Sequence, residues 1–181
     1  MWLAEAGFFT RVLGYTCTVG VTSELLKYIA IRYTIFPSRI RTRLDGLAYS
    51  VAASVGYAAV LNLHLVFDPD PTVTADAQRI AINFISQVGF GLIMGFFLGE
   101  LALHDRPALF LGAGLALGAL ANGLYIAFRA IAAGSGFSVS NLNGLILVVF
   151  FVLGVALAVN FLIRTFDARD AALQGERQMI S

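Results

Sequence analysis

The stretch Leu142–Phe166, LNGLILVVFFVLGVALAVNFLIRTF, decides the fold class. It carries no charged residue before Arg164. It is also longer than the roughly 20 residues an α-helix needs to cross about 30 Å of hydrocarbon. Four similar runs precede it, at about Gly7–Tyr33, Leu44–Phe67, Ala77–Leu103 and Ala108–Ala133. The first of them is interrupted by Arg11, Glu24 and Lys27. No ten-residue segments of alternating polarity occur, which excludes a transmembrane β-barrel. The reading is therefore an all-α, polytopic membrane protein with about five transmembrane helices.

Composition points the same way. Of 181 residues, 59% are hydrophobic and 13% charged, against about 45–50% and 25% in a soluble domain. A mean hydropathy of +0.82 excludes both a soluble globular domain and a disordered chain. Twelve basic and 11 acidic residues leave a net charge of +1 with no basic stripe, so no nucleic-acid partner is expected. One cysteine, Cys17, excludes a disulfide framework and a thiolate metal cage. It is expected as a small buried apolar residue. No cofactor or metal motif is present. The first residues, Met1-Trp2-Leu3-Ala4-Glu5, lack a basic segment and a cleavage site, so no cleaved signal peptide is expected.

Orientation follows the arginines. The first loop carries Arg39, Arg41 and Arg43, the third Arg106, and the tail Arg169 and Arg177. The second loop is acidic, with Asp68, Asp70 and Asp76, and the fourth, Gly134–Ser140, is uncharged. Basic loops stay in the cytoplasm, which places the N-terminus outside and the C-terminus inside. The chain is read as one transmembrane domain, 1–166, followed by a polar cytoplasmic tail, 167–181, that is a short helical extension or a frayed end.

Polar residues inside lipid must find partners. Glu24 and Lys27 stand three apart on one helical face and can pair. At 1.5 Å per residue from the cytoplasmic ends, Asn62 lies roughly 27 Å deep, Gln87 roughly 24 Å and Asn122 roughly 21 Å, with Glu24 at roughly 14–19 Å. One polar cluster is expected. Gln87, Gly91, Gly95 and Gly99 recur every fourth residue, as do Gly114, Gly118 and Asn122. Glycines at this spacing let a neighbouring helix approach closely: the seams are read first as ordinary helix–helix packing with an interhelical hydrogen bond and, for a scaffold, as the surfaces for a partner's helix.

These segments, in their order, resemble the PrsW-type intramembrane proteases, relatives of the CAAX prenyl endopeptidases and the multi-pass scaffold of gamma-secretase. The family's Glu-Glu-x-x-Lys resembles Ser23-Glu24-Leu25-Leu26-Lys27. Its stretch from Asp-Gly-x-x-Tyr to Gly-Phe-x-x-x-Glu-Asn resembles Asp45–Tyr49 and Gly56–Asn62. Its His with glycines eight and twelve residues on resembles Gln87, Gly95 and Gly99, and its His-x-Leu-(Trp/Tyr)-Asn resembles Asn122–Ile126. The resemblance spans about residues 19–128. It implies a PrsW-like core with Ser23, Leu61, Gln87 and Asn122 where the family carries two glutamates and two histidines. Amides do not titrate near neutral pH and are poor metal ligands. Peptide hydrolysis needs an activated water and a proton donor. The implied protein keeps the fold and has lost the chemistry: a scaffold or accessory subunit, with a transmembrane protein partner or a second copy of itself, in the bacterial cytoplasmic (inner) membrane. The degenerate cluster would comprise Ser23, Glu24, Lys27, Leu61, Asn62, Gln87 and Asn122. The first alternative is an active intramembrane peptidase using Glu24, Lys27 and His64, and the second a small channel or transporter.

The remaining polar residues have local explanations. His64 is expected solvated near the outer interface, and His104 exposed in its loop. Arg11 and Arg129 can extend toward the interface. Glu100 can meet Arg106 or a first-loop arginine. Asp45 opens the second helix, where a carboxylate suits the N-terminal dipole.

Overall fold

The computed structural model describes residues 6–67, 73–104, 106–134 and 142–180. Every regular element in them is helical. Helix α1 (Phe8–Tyr15) runs through one π-helical turn (Thr16–Gly20) into α2 (Val21–Thr34). Then follow α3 (Arg43–Val66), α4 (Val73–Leu103), α5 (Ala108–Gly134) and α6 (Leu142–Ile180). The chain is an all-α polytopic bundle, and α3 to α6 are each long and apolar enough to cross a membrane. The first run is also helical. Its polar residues and π turn set it apart from the other four.

Local chemistry fixes the ends. At α3, the Thr42 hydroxyl accepts the Asp45 backbone N–H at 3.1 Å, and the Asp45 carboxylate accepts the backbone N–H groups of Thr42 and Arg41, both at 2.9 Å. This reciprocal box satisfies donors that a helix start leaves open, and it adds hydrogen bonds to the dipole role expected of Asp45. Helix α2 stops at Thr34, short of Pro37, because the residue before a proline is disfavoured in helix. Helix α6 does not stop at Phe166 but continues through the polar tail to Ile180.

Small residues set the packing. Helix α4 is central, with half of its span buried, against 11% for α6. Helix α3 lies on it along a seam of glycine and serine. A Cβ on Gly46 would lie 2.6 Å from the Gly95 carbonyl oxygen, and one on Gly95 2.7 Å from the Leu47 Cα. One on Gly91 would meet Ser54, and one on Gly99 the Arg43 backbone. The second glycine series is filled as well: Gly114 faces Phe97 and Gly118 faces Glu24. The glycine seams are thus packing seams filled by the chain's own helices, the first of the two readings, and are not open to a partner. Two apolar clusters complete the interior, one around Ile31, Ile40, Met94 and Leu98, the other around Ile82, Phe90, Tyr125 and Val148. Cys17, expected to be buried, lies exposed on the outer side of the π turn.

Candidate functional site: a buried polar network between α2, α4 and α5

Glu24 and Lys27 share one face of α2, and their side chains are each 1% exposed. Lys27 Nζ donates to Glu24 Oε1 at 2.6 Å and to Gln87 Oε1 of α4 at 3.0 Å. Its remaining surroundings are aromatic, with the rings of Tyr57 and Phe90 each 5.8 Å away. The ammonium is thereby held by one charge, one amide and two π faces. On the neighbouring turn Asn122 of α5 donates to the Ser23 hydroxyl at 2.9 Å, and that hydroxyl donates to the Gly20 carbonyl at 2.9 Å.

Gly118 makes room for the acid. A Cβ there would lie 3.2 Å from Cγ, Cδ and Oε2 of Glu24. The glycine four residues before Asn122 is therefore a niche for a carboxylate. Glu24 Oε2 has no hydrogen-bond partner among the described residues.

The network brings together Ser23, Glu24, Lys27, Gln87 and Asn122. Asn62 is buried too but belongs to a second pair, accepting a hydrogen bond from Asn83 at 2.7 Å and donating to the Ile80 carbonyl at 3.5 Å. Leu61 is 38% exposed on the outer face of α3 and does not join them. One residue's step along a helix turns a side chain by about 100°, so burying Asn62 carries Leu61 outward. The His64 side chain lies outside the described residues. Arg129 lies over the Tyr125 ring at 5.7 Å, and Arg11 donates to the Ala6 carbonyl at 2.8 Å.

No family model matches the chain, and neither a curated protein nor a solved structure matches it. Its chemistry rests on the geometry. The network has one carboxylate, already engaged by an ammonium, and its other members are neutral. Among the described residues no group of three or more His, Cys, Asp or Glu is placed to hold a metal ion. What these side chains do is join helices: Lys27 ties α2 to α4, and Asn122 ties α5 to α2.

A second charged cluster lies at the C-terminal end of α4. The Arg43 guanidinium binds Glu100, Asp167 and Asp170 at once. Glu100, 0% exposed, also accepts from Arg106 Nη2 at 3.1 Å. It thus meets both partners that its position suggested. His104 is not simply exposed, since its ring stands between Glu100 Oε2 at 3.5 Å and Asp170 Oδ2 at 3.4 Å. Sequence reasoning missed Arg43, Asp167 and Asp170 as a unit, and Asn83 as partner of Asn62. One available signal was the spacing of Asp167 and Asp170, three apart on one face just past the apolar run.

Proposed function

We propose that this chain is a catalytically degenerate, PrsW-like membrane protein that acts as a scaffold or accessory subunit and binds a partner's transmembrane helix. The observation that carries this reading is the placement of Lys27 between Glu24 and Gln87, with the ion pair sealed from solvent. At the positions where the resemblance expects titrating groups, Ser23, Gln87 and Asn122 are spent on hydrogen bonds within the bundle. A proteolytic site must present an activated water to a substrate, whereas a closed network of this kind gives a fixed shape.

The partner's surface in this reading is the outer face of α6. Phe150, Leu153, Leu157 and Phe161 are 70%, 53%, 69% and 68% exposed there, at helical spacing. Gly154 lies among them, with open space where its Cβ would be. Helices associate in lipid through close packing, since lipid tails are as apolar as leucine. A large-and-small pattern on an unfilled face suits that packing. In this reading the arginine-rich end lies in the cytoplasm.

The test places a photo-crosslinking amino acid at Leu157 in native membranes. We expect one discrete protein adduct, either a foreign subunit or a second copy. Lipid adducts alone at positions 150, 153, 157 and 161 would overturn the reading. So would cleavage of a model transmembrane substrate that Glu24→Gln abolishes.

A further inference from the structure

A cavity of about 570 Å³ opens between the end of α2, the turn after it, the end of α4 and the start of α5. Arg32, His104 and Arg106 line it beside the apolar walls of Tyr28, Phe36 and Leu111. No acidic side chain is among its described lining residues.

Its cations have donors to spare. Arg32 forms no ion pair among the described residues, and its guanidinium is steadied over the Phe36 ring at 5.4 Å. Arg106 commits Nη2 to Glu100 at 3.1 Å, while its Nη1 has no hydrogen-bond partner among the described residues. Two guanidinium groups line one space with no acid among its described lining residues, which leaves it electropositive. A guanidinium fork matches the non-bridging oxygens of a phosphate.

We infer that this cavity binds the phosphate of an anionic phospholipid headgroup, held between Arg32 and Arg106. Two features favour a lipid over a free phosphate ion. The cavity lies where apolar helices give way to polar turns, the place along a spanning helix where headgroups would be met. Its wall of Tyr28, Phe36 and Leu111 gives the first carbons of an acyl chain an apolar surface. This inference does not rest on the proposed scaffold role.

The test titrates fluorescent phosphatidylglycerol into the delipidated full chain in neutral detergent, with phosphatidylcholine and inorganic phosphate as competitors. Wild type should bind phosphatidylglycerol in preference to phosphatidylcholine. Arg32→Gln should weaken binding about tenfold, the scale of one hydrogen bond to a charged group. Arg32→Lys, which keeps the charge and loses the fork, should fall between. Arg169→Gln removes an exposed charge outside the cavity and should change affinity less than about twofold. Equal losses for Arg32→Gln and Arg169→Gln would reduce the effect to diffuse charge and overturn the site. Full competition by inorganic phosphate would overturn the lipid assignment, and absence of binding would overturn both. Unchanged helix content and melting of Arg32→Gln would establish that a loss is local; if that variant does not fold, Arg32→Lys serves as the deciding one.

Discussion

The two charged clusters solve different problems. In the network between α2, α4 and α5, one ion pair is made within a single turn, and neutral amides complete it. At the C-terminal end of α4, Arg43 gathers acids from two other helices, far apart in the chain, and part of the cluster meets solvent: Asp167 is 58% exposed and Asp170 27%. Depth explains the difference. A charge sealed in the bundle must have its partner at hand, because an uncompensated buried charge costs several kcal/mol. A cluster open at one side can recruit partners over distance, and water and salt share its load.

Breaking the sealed pair should have the largest effect. Lys27→Met leaves the Glu24 carboxylate buried alone, and a loss of about 3–5 kcal/mol is expected. Titrated unfolding in mixed detergent, followed by circular dichroism, reads it. The double variant Glu24→Gln/Lys27→Met should recover most of the loss. If it recovers nothing, the cost comes from packing and the depth argument fails.

Next comes the hub of the open cluster. Arg43→Gln strips Glu100 of one of its two guanidinium partners and frees both tail acids. A loss of about 1.5–3 kcal/mol is expected, the range for hydrogen bonds to charged groups. Limited trypsin digestion should then cut after Arg169 faster than in wild type. An unchanged rate would mean that α6 holds its end without Arg43.

A smaller effect tests the niche. Gly118→Ala sets a methyl group against Glu24, and about 1 kcal/mol of destabilisation is expected from overpacking. In the Glu24→Ala background the same change should be neutral. The smallest effect is that of Asp167→Asn, about 0.2–1 kcal/mol, as for exposed pairs. One molar salt should erase it while leaving the Lys27→Met effect in place.

Much of this could be read from the sequence, and the reason differs by residue. The five apolar runs are visible because lipid imposes length and hydropathy on each segment separately. Glu24 and Lys27 are visible because three residues along a helix bring side chains to one face. Gln87 and Asn122 could be placed by counting from the ends, since depth is linear in residue number. Rotation about the helix axis is not set by such a count. A count from the ends therefore sets Leu61 in one layer with Asn62 and gives no sign of Asn83, one loop away. The same limit hides which helix fills a glycine seam: the pattern at Gly91, Gly95 and Gly99 predicts close approach, but the occupant is α3 of the same chain. The tail acids of Arg43 are the least legible, for Asp167 and Asp170 lie more than half the chain away and follow an apolar run with no feature pointing back to it.

The chain order of that arginine's partners bears on assembly. Arg43, Glu100 and Arg106 belong to segments synthesised well before α6, and among themselves they carry more positive than negative charge. Asp167 and Asp170 emerge later, with α6, and reverse that balance. An apolar helix gains little by leaving lipid for protein, so hydrophobicity alone gives α6 no reason to choose this berth. The two late carboxylates provide one. They work as an address, read only once α6 has been made, that brings this helix home to the first loop.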